Sequence, residues 1–457
     1  RVASLFTDQA NKLWIGTTKY GLFLLDGKRP LEKIELPTYK TKVPWIYAIN
    51  EIRPGMFWLG TFGNGILEYD SVRKTFKAIQ SNRLLKTGLR DDNVWTLFRD
   101  RRGLIWTGGG QGIDLYDATQ TAFTNIPGDI DEQGLSDAKI HAVLAMPDDQ
   151  VWLGTEKHGI DIIHPLRSDV GHIPAGISGD ANLSTDPIEA MMLADPENIL
   201  ASSNWLSFII DRQSHAARFL RPEGRAPDAY SSAFANYRGS TWVAGTDGLW
   251  RIPDIRKNSA KNVFSSLPGE RRIASLFSDD DVLWLGTWKG LKQLSEDPAP
   301  PFAIHVKSIA EPELDQQFIT SMAKDVKKRL WFGTSNAGLF INTREGMAAK
   351  TGWKKLSEAN GLPSNVIASI QMDQRGDIWV STSRGIAHIA LDSLKVDGIL
   401  ANEGAAAAPY TRAAGSTNAS GDIIFGGAEG VTVVQPAKWR SASYKPGIVL
   451  TGIETNT

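Results

Sequence analysis

A phrase built on tryptophan, glycine and threonine recurs along this chain, and recurrence at a steady period restricts the fold more tightly than any bulk property. It reads Leu13-Trp14-Ile15-Gly16-Thr17, Phe57-Trp58-Leu59-Gly60-Thr61 and Ile105-Trp106-Thr107-Gly108-Gly109 near the start. It returns around Trp152, Trp242, Trp284, Trp331 and Trp379, and two degenerate copies put Leu200 and Phe425 at the same place. The ten anchors lie 42 to 48 residues apart. A repeat of that length is one supersecondary unit, which buries its apolar face only by stacking on its neighbours.

Each unit has the same internal order. A stretch of alternating character such as Val94-Trp95-Thr96-Leu97-Phe98 runs into a polar turn, Asp100-Arg101-Arg102-Gly103, and then into the anchor phrase. A short glycine-containing turn and a third alternating stretch follow, as in Gly21-Leu22-Phe23-Leu24-Leu25, then a weaker fourth, as in Leu31-Glu32-Lys33-Ile34. Period-two alternation bounded by Gly, Asn, Asp and Pro predicts short strands joined by tight turns. Four strands per unit predict an all-β fold, a β-propeller of ten four-stranded blades. The anchors Trp14, Trp58, Trp106, Trp152, Trp242, Trp284, Trp331 and Trp379 are then structural. Each fills the wedge between two blades, and the nearby glycine lets the next blade approach.

Charge narrows the range of partners. Fifty Lys and Arg against 51 Asp and Glu give a net charge of −1, without the basic excess that neutralises phosphates, so no nucleic-acid partner is expected. The absence of cysteine excludes disulfides, thiolate metal sites and a cysteine nucleophile. No segment reaches the ~18 consecutive apolar residues of a membrane-crossing helix. The first residue is Arg1, so a mature product or a piece of a longer chain is expected.

The detail of the phrase resembles the two-component regulator propeller repeat. Gly88-Leu89-Arg90-Asp91-Asp92-Asn93-Val94 leads to Gly103-Leu104-Ile105-Trp106, and Gly361-Leu362-Pro363-Ser364-Asn365-Val366 leads to Asp373-Gln374-Arg375-Gly376-Asp377-Ile378-Trp379. The tail, Phe425-Gly426-Gly427 through Pro436 and then Pro446 to Ile453, resembles the passage from a last blade into a small immunoglobulin-like triple-tyrosine domain. The resemblance implies the ligand-sensing ectodomain of a bacterial membrane receptor. Such an ectodomain is periplasmic, relays to a cytoplasmic kinase or cyclase, and takes a carbohydrate or related small molecule. It also implies a homodimer through the receptor, and a membrane reached only through a C-terminal segment absent from this sequence. Fourteen repeats in two rings are typical of the family. The ten seen here are therefore expected as three blades of a first propeller over 1–127 and a seven-bladed propeller over 128–436. A linker and the first strand of a truncated immunoglobulin-like domain would occupy 437–457. One ten-bladed ring or two five-bladed rings are the alternatives.

Ligands of propellers meet the loop entering the innermost strand and the turn between the second and third strands. Eleven residues before each anchor stand Ala3, Tyr47, Trp95, His141, Glu189, Ser231, Ile273, Thr320, Ala368 and Ala414. The second-to-third-strand turns add Tyr20, Phe62, His158, Asp247, Trp288, Lys289 and Arg384. Exposed rings beside a few charges suit sugars, whose apolar faces stack while their hydroxyls take hydrogen bonds. Tyr20, Tyr47, Phe62, Trp95, His141, His158, Asp247, Trp288, Lys289 and Arg384 are therefore the candidate ligand-binding residues.

No catalytic residues, cofactor or metal are expected. His158, His164 and His172 lack a ligand spacing, and the acidic runs at 129–132 and 279–281 lack a calcium-loop pattern. A glycan lyase or hydrolase and a protein-interaction scaffold are the alternatives to a sensor. The enzyme would need paired carboxylates or a His/Tyr pair facing one channel.

Overall fold

Every copy of the anchor phrase forms the second strand of an antiparallel sheet, from Leu13–Thr17 to Ile423–Gly427, the degenerate copies Asn198–Ser203 and Ile423–Gly427 included. The structure, a computed structural model, describes residues 1–439 apart from 28, 38–42, 82–88, 101–102, 118–121, 129–133, 165–169, 177–185, 204–205, 221–230, 247, 258, 263–271, 298–303, 310 and 349. The acidic run at 129–132 lies outside the described residues, as does the immunoglobulin-like strand expected in the tail.

Each residue type of the phrase has its own contact. The tryptophan packs on the neighbouring sheet: Trp14 meets Phe57 at 4.3 Å between ring centroids, and Trp58 meets Tyr116 at 4.7 Å. Where an aspartate stands six residues earlier, one of its oxygens takes the indole N–H. The distances are 2.8 Å for Asp8 and Trp14, 2.9 Å for Asp325 and Trp331, and 3.1 Å for Asp373 and Trp379. The other oxygen accepts backbone N–H groups of the turn. Met146 replaces that aspartate before Trp152, whose indole N–H is buried without a hydrogen-bond partner among the described residues. A Cβ on Gly154 would come within 2.6 Å of the carbonyl oxygen of Ile188 in the next sheet, so only glycine fits. The threonine staples the turn that follows: Thr17 donates to the Gly21 carbonyl at 2.9 Å and Thr334 to that of Gly338 at 2.8 Å.

The first three sheets run in series, with Val2–Thr7 packed on Ile46–Arg53 and the latter on Val94–Arg99. The other seven make a closed circuit. Their innermost strands are Ile140–Ala145, Ile188–Leu193, Ser231–Tyr237, Ile273–Asp279, Ile319–Lys324, Ile367–Met372 and Tyr410–Thr417; each packs on the next and the last returns to the first. Trp106 ends the first run and is half-buried, whereas the other seven anchor tryptophans are buried. No sheet among the described residues covers that side, and Phe98, Ile113 and Leu115 are exposed there.

Counting repeats gives Phe123–Ile126 to the third blade, inside the boundary set at residue 127. The structure instead pairs this strand with Gly430–Val434, so it is the outer strand of the last sheet, and the third sheet has three strands among the described residues. Burial explains the choice. Phe123 meets Trp379 and Trp439 edge-on at 6.4 and 5.6 Å. The buried Asn125 amide donates to the Gly404 carbonyl at 3.0 Å and accepts from Ala406 N–H and the Thr432 hydroxyl.

Candidate functional site

The innermost strands share a device that aims side chains at the rim. Val2 pairs with Thr17 and Ser4 with Gly16, leaving Ala3 as a one-residue bulge. The same irregularity sets out Tyr47, Trp95, His141, Glu189, Thr320 and Ala368. A bulge twists the strand locally and re-aims the extra side chain. In two sheets the bulged residues are Ser232 and Ala274, not Ser231 and Ile273. The reason is the hairpin into the second strand, which is one residue tighter there, with Arg238 and Asp280 in the positive-φ conformation. In the last sheet Tyr410 pairs with Gly427 and Gly415 with Phe425, so the bulge is wider and holds Arg412 as well as Ala414.

A second device pairs two rim residues within one sheet. The residue after the motif threonine donates its N–H to the carbonyl of the residue before the innermost strand: Thr18 to Arg1, Glu156 to Lys139, Trp288 to Arg272, Ser335 to Phe318 and Ser383 to Val366, at 3.0 to 3.3 Å. Their side chains then stand together. Lys139 and Glu156 form an ion pair at 3.1 Å. The equivalent residues of the second sheet, Trp45 and Phe62, stack with centroids 5.6 Å apart and planes at 27°.

These devices assemble three groups. In the first, Tyr47 joins Trp45 and Phe62 at 6.5 and 6.3 Å. Trp45 is 41% exposed and Phe62 50%, and the turn under Phe62 is braced by the N–H groups of Gly63 and Gly65 on the Asp92 carbonyl. In the second, Trp288 stacks on Phe318 at 5.0 Å, with the Arg272 guanidinium 5.0 Å from the Trp288 ring and that of Arg412 5.6 Å from Phe318. A groove of about 690 Å³ is lined by Gln317, the residue before Phe318, with Asn336, Asn360, Asn365, Glu313 and Lys355 among others. In the third, the imidazole of His141 lies between Glu189, 3.5 Å from Nδ1, and Glu156, 3.9 Å from Nε2. The loop leading to this strand is anchored by Asp161, which accepts the Ser136 N–H at 2.7 Å and meets His172 Nδ1 at 2.8 Å. Burial holds the Asp161 carboxyl above the usual range, although these donors favour its ionised form.

The candidates read from sequence are thus only partly gathered. Tyr47 and Phe62 belong to one cluster and Trp288 to another. Tyr20 and Trp95 are exposed and have no aromatic partner among the described residues. Tyr47, Trp95 and His141 do not form one set: His141 is buried on Glu189 in the circuit of seven sheets. His158 is tied to Asp137 at 3.2 Å, and Arg384 to the Pro363 carbonyl at 3.0 Å and to Glu358 at 3.5 Å. Lys289 is exposed beside Trp288, and Asp247 lies outside the described residues. Sequence reasoning missed Trp45, Glu156, Arg272, Phe318 and Arg412. The first four follow a signal that is present: the two rim residues sit seventeen positions apart in most sheets and sixteen apart at Arg272 and Trp288, in one of the two tighter ones. Among the described residues, no group of three or more His, Asp and Glu is placed to hold a metal ion.

Residues 361–384 match the family model described as two component regulator propeller, so the chain carries that repeat. Histidine kinase P4 of Formosa agariphila is 24% identical over 366 residues, which take in 74% of this chain and 25% of that protein. Among solved structures, the extracellular domain of the hybrid two component system BT3049 from B. thetaiotaomicron superposes with a TM-score of 0.68 at 18% identity. The match covers 95% of this chain and 56% of that one. The extracellular domain of the one component system BT4673 from the same organism gives 0.53 at 15% identity, covering 96% and 64%. The chain therefore spans about a quarter of the length of the kinase and somewhat over half of the two solved domains, and the structural likeness speaks for the fold.

Proposed function

We propose, for a chain that carries the two component regulator propeller repeat, that it is the ligand-binding sensor part of an extracytoplasmic bacterial receptor. In this reading it faces the periplasm, binds a saccharide or related small molecule without turning it over, and passes the signal through a receptor dimer to a cytoplasmic kinase or cyclase. The first three blades form one unit and the circuit of seven the other. The repeat, the extracellular two-component domains that share the fold and the kinase that the chain partly spans support the setting.

The Trp45–Phe62 stack with Tyr47 beside it carries the ligand part. Two large rings half-open to water at a rim, held by a braced turn, give a saccharide an apolar face to lie on. A thermal-shift screen of the purified chain against neutral oligosaccharides tests it, because a ligand of the native state raises the melting temperature by mass action. A selective shift that Trp45→Ala abolishes supports the reading. A shift untouched by that change moves the site elsewhere, and no shift with any sugar removes the saccharide.

One observation favours a second reading, a glycan-cleaving enzyme: Glu156 and Glu189 flank His141, which brings two carboxylates to one imidazole. Assaying product formation in the same screen separates the two, since turnover that Glu189→Gln removes would establish the enzyme.

A further inference from the structure

We infer that Arg272, Trp288, Phe318 and Arg412 form a second binding site, for the anionic group of an acidic saccharide, a carboxylate or a sulfate. That the ligand is a saccharide rests on the reading above; that it is an anion rests on these four residues alone.

Arg412 comes from the wide bulge of Tyr410–Thr417, and its Nη1 donates to the Ala274 carbonyl at 2.8 Å. Strand Ile273–Asp279 stands three places away in the circuit, so this side chain reaches across the middle of the ring. On the way its guanidinium lies 5.6 Å from the Phe318 ring. Phe318 stacks on Trp288, and Arg272 lies 5.0 Å from the indole. The order is cation, ring, ring, cation. Both aromatic faces serve to hold guanidiniums, and the pair is no open platform for a sugar ring. Cation–π contact fixes where the charges sit and leaves their N–H groups free to donate sideways.

Charge balance makes the arrangement informative. Several half-buried cations here are matched by carboxylates, Arg251 by Glu296, Arg329 by Asp325 and Lys324 by Asp279, whereas Arg218 rests on the Ile255 carbonyl. Neither Arg272 nor Arg412 pairs with a carboxylate among the described residues; their contacts are the two rings and a carbonyl. The acidic groups of the first sheets of the circuit are engaged locally, Glu156 with Lys139 and Asp137 with His158. The half-buried Arg412 guanidinium, without a counter-charge among the described residues, carries a desolvation cost that an anion offsets, and the exposed Arg272 adds a second donor. Its planar fork takes carboxylate or sulfate oxygens two at a time. The groove at Gln317, the residue before Phe318, is lined by amides and by the ion-paired Glu313 and Lys355, and leaves room for the uncharged remainder of the ligand.

The test is calorimetric titration of the purified chain with tri-galacturonate, a sulfated galactotriose and neutral galactotriose, repeated with Arg272→Gln, Arg412→Gln and Trp45→Ala. One or both charged trisaccharides are expected to bind at least tenfold more tightly than the neutral one. Both arginine variants should lose that preference, while Trp45→Ala keeps it. The preferred probe tells carboxylate from sulfate. Arg272 is exposed, so its variant tests the site even if Arg412→Gln unfolds. Equal binding of neutral and charged sugars, charged binding unchanged in Arg272→Gln, or no binding of either charged probe overturns the inference. Loss of all binding in Trp45→Ala alone would overturn it while leaving the sensor reading intact.

Discussion

The Thr432 hydroxyl donates a 2.6 Å hydrogen bond to the Asn125 side-chain carbonyl, joining residues 307 positions apart in sequence. The same asparagine holds Gly404 and Ala406, and Thr432 takes the Tyr410 hydroxyl at 2.7 Å. One side chain thus fastens the strand that arrives from the first three blades to the last sheet of the circuit.

Asn125→Ala leaves the buried Thr432 hydroxyl and the half-buried Gly404 carbonyl and Ala406 N–H without that partner, and an unmatched buried group costs about 1–3 kcal/mol. We expect urea unfolding to show a loss of at least about 2 kcal/mol. Thr432→Val should cost a similar amount, since valine fills the same volume but leaves the Asn125 side-chain carbonyl, the Tyr410 hydroxyl and the Ala407 N–H without that partner.

The anchor tryptophans differ in what covers them. Trp331→Ala empties a fully buried site and should cost about 3–5 kcal/mol. Trp106→Ala, on the half-covered end of the first run, should cost clearly less in the same chemical denaturation series. Equal losses would mean that the side bearing Phe98 and Ile113 is covered in solution.

Asp161 gives a pH dependence of uncommon sign. Burial raises its folded-state pKa, so the folded chain keeps a proton that the unfolded chain has already lost. Stability from this group is greatest below the usual aspartate range and falls as pH rises through the raised value. Denaturation midpoints of the wild type and Asp161→Asn, compared from about pH 4 to about pH 7, should diverge, with the flatter profile in the asparagine variant.

The rim aromatics should separate by function. Trp45→Ala and Phe62→Ala are expected to weaken saccharide binding at least tenfold with small changes in melting temperature, because both rings are half-exposed. Trp95→Ala, whose ring has no aromatic partner among the described residues, should leave binding within twofold.

The ten sheets were legible because each letter of the phrase answers a contact that few other residues can make: a wedge for Trp14, a close carbonyl at Gly154, a turn staple at Thr334. Partner choice between sheets was not legible. Phe123–Ile126 looks like any fourth strand in sequence and finds its place only through burial against Trp379 and Trp439. The rim positions were half legible. A fixed count to the anchor locates Tyr47 and His141, but hairpin length shifts Ser232 and Ala274 by one, and the wide bulge hides Arg412 behind Ala414.

The bulge has a further consequence for how such a chain changes over time. A residue set outside the ladder carries little of the sheet's pairing, and the slots already hold alanine, tyrosine, tryptophan, histidine, glutamate, serine and threonine on the same one-residue bulge. Ligand preference can therefore drift one socket at a time while the scaffold stays put. At the slots open to water, such as those of Ala3 and Trp95, a new specificity is reachable by single exchanges that stability selection scarcely sees, whereas His141, Ser232 and Thr320 are buried.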